Sequence, residues 1–453
     1  MIIRSDITDY SFDDVEGLIK AWDDTPLLRY ERYYKGYNVK AIQQYQHKAT
    51  LGDKPNHLIT SPYFSTLVDG AAAYSFSAIN YTDKPGDGQN ADVIQAIHNI
   101  TNQNASDVVD SKVGVYQLGY GFAAVLHWVN KGQENGYRYD VIDPLEVIPI
   151  YDLSVETNLI AVIHHRAVTS DKKVYTVYTD DRVKEWEIDG GKQKLTLDMP
   201  NDYKIVPWEI YWNNSTKGEF NSICGKVLSY IDAIDTVLTG NWNEISRFAE
   251  SILTAARQFR PEDKENIEYK RLMDGMGEDW NKLQYLTKQV QWEYQQFFYK
   301  ILVSELHKHT HVIDFQNPDA GIGSAASGTA LRYRMLDMEA MALRYERLNR
   351  EGQYRRLYLL QNIGAIPDGD LSGVEVVYNH NIPEDIGAKM QALNSITFLS
   401  DTTKQEMIGV DPVAEAEKIS QEAEGKLDRL DLVSANGNVA IETQYDGADI
   451  DVE

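Results

Sequence analysis

The sequence holds one cysteine, Cys224, among 453 residues. No disulfide can form within the chain, and no cysteine-built zinc site is possible. A lone thiol fits synthesis in a reducing cytosol. No apolar run approaches the roughly 20 residues that cross a bilayer, so no membrane partner is expected. The opening Met1-Ile2-Ile3-Arg4-Ser5-Asp6 lacks a basic stretch followed by an apolar one, so a secretory leader is not expected. Positive charge is scarce: 44 Lys and Arg stand against 69 Asp and Glu, a formal net charge of −25. So acidic a chain has no general grip on phosphate backbones, which requires cations to neutralise them. Catalytic signatures are missing too. There is no G-x-x-x-x-G-K-[ST] phosphate loop, no G-x-S-x-G and no H-E-x-x-H. The carboxylates are many but scattered, and no spacing selects an acid–base pair. Neither a cofactor nor a catalytic residue is expected.

What is present is material for packed cores. Apolar residues make up 43%, with 29 Tyr and 8 Trp, which excludes wholesale disorder. The length allows two or more domains. Residues 1 to about 50 read as polar helix, with Asp13, Asp14 and Glu16 ahead of Leu18, Ile19 and Trp22 as an acidic first turn. Leu27–Tyr37 interleaves Tyr30, Tyr33, Tyr34 and Tyr37 with Arg29, Arg32 and Lys35. That pattern could stack on single-stranded nucleic acid, but a helix packing its tyrosines on a neighbour is the preferred reading. An apolar helix is expected within 56–81, a loop over 82–90, and another helix to about Gly119. From Phe122 to Trp212 short β-branched and aromatic runs alternate with turns such as Asp189-Gly190-Gly191, an antiparallel sheet region. Residues 222–257 return to helix, with Val227, Ile231, Ile234 and Leu238 on one face. Residues 258–281 are charged and irregular. A second long helix is expected from Lys282 to His311, a third from Thr329 to Asn362, then a strand at Val374–Tyr378 and helices to about Leu432. The last twenty residues read as a disordered acidic tail.

One constellation could carry metal chemistry. In a strand, alternation would put His307, His309 and His311 on one face, a plausible metal site. In a helix, two-residue steps turn about 200° and the imidazoles cannot converge. The helical reading holds here, so no metal is expected. His164 and His165 are adjacent, on opposite faces of a strand. The third long helix carries Arg332, Arg334, Arg344, Arg347, Arg350, Arg355 and Arg356, expected to pair with acids, those of a neighbouring copy of the chain, rather than with phosphates.

Several segments, in order, resemble the Gp6-like portal family of tailed phages. They are Arg32-Tyr33-Tyr34-Lys35-Gly36; Asn56-His57-Leu58-Ile59 through Leu67-Val68-Asp69-Gly70-Ala71-Ala72-Ala73-Tyr74; Tyr116–Ala123 followed by Ile142–Asp152; Ile205-Val206-Pro207-Trp208 with Asn213-Asn214; Tyr230-Ile231-Asp232-Ala233; Ser327-Gly328-Thr329-Ala330-Leu331; and Asn381-Ile382-Pro383. The resemblance covers about 30–425. It implies an α+β, predominantly helical fold: an N-terminal segment 1–27, a mixed wing 28–222, a first stem helix 223–256, a clip 257–285, a second stem helix 286–312, a tunnel loop 313–328, a long wing helix and returning strand 329–385, crown helices 386–432 and the tail 433–453. The family places strands in its clip, whereas Gln258–Leu283 reads as helical or irregular. The resemblance also implies a closed ring, a dodecamer, at one capsid vertex of the virion. Double-stranded DNA would pass through it during packaging and ejection. Its partners would be a terminase motor, a head-completion or adaptor protein, and the scaffolding and major capsid proteins. On this reading Asn317, Pro318, Asp319, Ala320, Gly321, Ile322, Gly323, Ser324, Ala325, Ala326 and Ser327 form the tunnel loop. Arg260, Glu262, Asp263, Lys264, Arg271 and Asp274 would supply the clip's adaptor contacts. The alternatives are a metal-dependent nucleic-acid-processing enzyme built on the three histidines, and a monomeric virion adaptor or scaffold protein.

Overall fold

Between Val147 and Pro200 the chain is a succession of β-branched and aromatic runs broken by Gly, Asp and Ser turns, and these pair in sequence. Strands β5 (Val147–Tyr151), β6 (Leu159–Ala167), β7 (Lys172–Thr179), β8 (Arg182–Asp189) and β9 (Lys192–Pro200) form an antiparallel meander. A short strand β1 (Ile3–Arg4) joins its edge, parallel to β5. In β6, Ala161, Val162 and Ile163 are all fully buried, so both faces of the sheet are covered there. Helix α1 (Phe12–Ala21) lies against it, Phe12 stacking on Tyr175 at 6.3 Å. Its start is fixed by a capping box in which Ser11 and Asp14 satisfy each other's backbone N–H groups. Helix α2 (Thr25–Tyr34) follows.

The computed structural model describes residues 3–38, 57–76, 78–84, 90–130, 136–248, 252–255, 272–274, 283–286, 292–314 and 328–380, with isolated positions elsewhere. Two compact units are separated at Asn381. In the first, helix α3 (Tyr63–Ser75) is followed by strand β2 (Ala78–Asp83), then by helices α4 (Ala91–Gln103) and α5 (Ser106–Tyr120). A three-stranded sheet has the order β10 (Trp208–Trp212), β3 (Phe122–Val129), β4 (Tyr137–Ile142). The period of two divides β3 between two cores. Phe122 and Ala124 face the core that also holds α3 and the large sheet, while Ala123 and Val125 face a second one. Beyond these come helix α6 (Leu228–Phe248), strands β11 (Ile252–Ala255), β12 (Leu272–Asp274) and β13 (Leu283–Leu286), helix α7 (Trp292–Thr310), helix α8 (Gly328–Asn362) and strand β14 (Val374–Asn379). At 1.5 Å per residue, the 35 residues of α8 span about 52 Å. In the second unit, Ser400 caps a short helical turn by accepting from the Thr403 N–H at 3.2 Å.

Four expectations are corrected. The N-terminal stretch is not wholly helical, since Ile3–Arg4 adds a strand to the large sheet. Residues 78–81 are strand rather than the end of a helix, because β2 finds its partner in β14, nearly 300 residues away, with Tyr81 opposite Val376. The helix expected over 222–257 ends at Phe248 and the one expected from Lys282 is recorded only from Trp292, because Ile252–Ala255 and Leu283–Leu286 are drawn into a sheet. Nor is the segment between the helices only helical or irregular. There β11 pairs in parallel with β12 and antiparallel with β13. These strands are three or four residues long, too short to show any alternation, so nothing local announces them.

Candidate functional site

The long helix α8 is fixed to the three-stranded sheet by a buried charge cluster. Arg356 is fully buried. Its Nη2 donates to Asp110 Oδ1 of α5 at 2.8 Å, and its Nε donates to Glu209 Oε1 of β10 at 2.9 Å. Nη2 also reaches Glu209 Oε2 at 3.1 Å, and the guanidinium lies over the Tyr139 ring at 4.9 Å. Glu209 takes further hydrogen bonds from His127 Nε2 at 2.6 Å and from the Tyr211 hydroxyl. His127 accepts from Tyr137 on its other ring nitrogen, which sets the tautomer. Burial opposes ionisation of Glu209, but Arg356 and His127 outweigh it and hold its pKa down to about 2. Burial keeps His127 neutral and pushes the Asp110 carboxyl up against the pull of Arg356. Two carboxylates therefore share one guanidinium, with phenol and imidazole donors taking the remaining lone pairs.

Other residues near this end of α8 continue the attachment. Arg355 donates to the carbonyl oxygens of Trp208 and Val206 at 2.7 and 3.0 Å. The Tyr81 hydroxyl donates to Gln353 at 2.6 Å. Asn349 and Gln117 exchange amide hydrogen bonds at 2.6 and 3.0 Å. The expectation that the arginines of this helix serve a neighbouring subunit is thus corrected for Arg355 and Arg356, which bind their own chain. Arg344, Arg347 and Arg350 are exposed; Arg344 donates weakly to Asn213 O at 3.4 Å. The side chains of Arg332 and Arg334 lie outside the described residues.

A second attachment involves α6. Its residues 235, 239 and 243, one turn apart, hold alternate residues of the extended segment 57–61. Asn243 accepts from the His57 N–H at 2.7 Å and donates to the His57 carbonyl at 3.0 Å. Thr239 does the same for Ile59 at 3.1 and 3.2 Å. Asp235 accepts from the Ser61 N–H at 2.7 Å and from Asn38. The helical rise over four residues, about 6 Å, nearly matches the advance of two extended residues, so one helix face serves as a ladder for the segment. Burial nonetheless raises the Asp235 pKa. The tyrosines of α2 pack as preferred: Tyr33 is buried and donates to Asp232 at 2.7 Å, and Tyr34 donates to Asp69 at 2.8 Å.

The three histidines do not converge. His307 Nδ1 donates to the Val312 carbonyl at 2.9 Å, His309 pairs with Glu305 at 3.2 Å, and His311 has left the helix with φ +58°. Among the described residues no three side chains are placed to hold a metal ion. The loop residues Asn317–Ser327 lie outside the described residues, as do Arg260, Glu262, Asp263, Lys264 and Arg271. Asp274 ends β12, opposite Ala255. Sequence reasoning missed Asp110, His127 and Glu209. Glu209 and Asp110 meet Arg356 across separations of 147 and 246 positions, and His127 meets Glu209 across 82; no local spacing signals such contacts. The one available hint was Glu209 itself, a carboxylate amid the Trp208–Trp212 run. No helix among the described residues is long and apolar enough to cross a membrane.

A family model described as phage portal protein, SPP1 Gp6-like, matches residues 19–427. The chain therefore belongs to the SPP1 Gp6-like family of phage portal proteins, components of the virion. Its sequence is 24% identical over 318 residues to the portal protein of Clostridium phage phiCD119, covering 64% of this chain and 68% of that one. Two solved structures are distantly similar. One is the neck of a native GTA particle computed with C12 symmetry, at 10% identity and TM-score 0.41, over 77% of this chain and 90% of that chain. The other is the neck of an empty GTA particle computed with C6 symmetry, at 12% identity and TM-score 0.38, over 86% and 94%. Both likenesses are too weak to carry an argument.

Proposed function

We propose that this chain assembles into a closed ring, twelve subunits in the phage, whose channel passes double-stranded DNA during packaging and ejection. The family match across 19–427 carries this reading. The wing is built on the large sheet and the three-stranded sheet, with α8 locked onto it by Arg356. Helices α6 and α7 form the stem, and β11–β13 form the clip that docks the terminase motor and later a head-completion protein. The crown falls in 386–432. The segment Asn317–Ser327, between α7 and α8, faces the channel. A small-residue loop with one charge, Asp319, touches the duplex without gripping it. Catalysis forms no part of this role, and packaging energy comes from the motor.

Electron microscopy of the purified chain tests the assembly: rings of about twelve subunits are expected, and a chain that stays monomeric in every salt condition refutes it. Deleting Gly321–Ala326 tests the loop. Rings should still form while DNA packaging or retention fails; normal infectious particles carrying the deletion would contradict the assignment.

A further inference from the structure

Strand β14 ends at Asn379, and the first compact unit ends at Asn381. Between them stands His380, whose side chain is only 6% exposed. Its ring lies between two carboxylates of α8. Nδ1 is 3.3 and 3.2 Å from the two oxygens of Glu339. Nε2 faces away from Nδ1 and stands 3.1 Å from Glu346 Oε1, close enough to pair by charge but not aligned for a hydrogen bond. Seven residues make two helical turns, so Glu339 and Glu346 share one face of α8 and both reach the ring. Tyr74 of α3 closes the cluster: its ring centre lies 5.4 Å from that of His380, and its hydroxyl donates to Glu339. Tyr378, two residues back on β14, is buried and feels the charges of Glu346 and Arg350. Arg350 itself is exposed.

A neutral imidazole has a single N–H. Whichever nitrogen carries it, the lone pair of the other then points at a carboxylate and is repelled. Only the imidazolium presents an N–H to both glutamates. We propose that His380 is a proton-operated clasp, which ties the end of β14 to α8 while its ring is charged and loosens when the proton leaves. The sign follows from the partners: both are acids, so the tie is present at the lower pH and is lost as pH rises. The Glu209 cluster works in the opposite sense, since acid removes the charge that Arg356 holds there. Loosening at β14 in mild alkali is therefore local and cannot be a by-product of that cluster failing. The clasp fixes where the chain leaves the first unit, and it stands independently of the ring reading above.

Hydrogen exchange of the full chain tests it, read by mass spectrometry at about pH 6 and about pH 8.5, on either side of the usual histidine range, and divided by the intrinsic rate at each pH. A peptide covering β14 and His380 should exchange about tenfold faster at the higher pH, the worth of one hydrogen bond to a charged group. Strand β8, in the large sheet, should show no such change. In His380→Gln, which keeps one donor and cannot titrate, the β14 ratio should fall to about one. Glu346→Gln keeps the ring but removes one of the two charges that hold its proton, and the ratio should fall below about threefold. Equal β14 exchange at both pH values in the unaltered chain overturns the clasp. So does a tenfold ratio that survives in His380→Gln. Where His380→Gln does not fold, Glu346→Gln decides, and an unchanged ratio in that variant overturns the proposal.

Discussion

Replacing Arg356 with methionine is expected to cost the chain about 3–5 kcal/mol, the usual penalty for removing one partner of a buried ion pair. Methionine fills a similar volume, so the loss is electrostatic: Asp110 and Glu209 remain buried without the guanidinium that both contact. The urea midpoint of the far-UV signal should fall steeply, and replacing both carboxylates with Asn and Gln in the same chain should recover most of it. Acid should act in the same direction. A carboxyl whose pKa is depressed from 4.5 to about 2 lends stability that is fully present above 4.5 and drains away as pH falls toward 2. His127, held neutral by burial, steepens the loss below 6.5, where the unfolded chain takes up the proton more readily. Glu209→Gln should flatten this slope. An Arg356→Met unfolding free energy within about 1 kcal/mol of the original would show that the cluster is not what fastens α8 to the sheet.

Gly121→Ala is expected to be nearly as damaging. Gly121 ends α5 and turns the chain into β3 with φ +97°. A Cβ there would stand 2.4 Å from the Asn221 nitrogen and 2.9 Å from the Phe220 Cα. Both are backbone atoms that no rotamer change can move aside. The left-handed conformation costs an alanine about 1–2 kcal/mol, and overpacking adds about 1–3 kcal/mol. Gly364→Ala separates the two contributions. Gly364 has φ +72° but open space where its Cβ would go, so it reports the conformational cost alone. Melting should place Gly121→Ala well below Gly364→Ala. Equal melting temperatures would mean that segment 220–221 yields freely.

The sheet region from Phe122 to Trp212, the third long helix and the strand near 374–378 were legible because each is long or regular enough for its periodicity to show. The strands at 78–83, 252–255 and 272–274 were not. Each is defined by a partner, β14 in one case and β13 in another, that only folding brings alongside. The histidines show the same dependence. Their spacing fits a metal site in a strand and scatters them in a helix, and it is helix α7, ending at Thr310, that separates them.

The sequence by itself determined the kinds and order of the main elements, the absence of cysteine chemistry and the acidic balance, because these follow from composition and short-range period. The order of its segments also carried the family, since each segment could be compared in place. Only the tertiary structure decided that Arg356 serves its own chain and that α6 holds segment 57–61 rung by rung. Each depends on residues far apart in sequence, and burial sets the outcome. An arginine with two carboxylates in a dry core is committed, whereas Arg347 and Arg350 on the exposed side of the same helix stand at the surface.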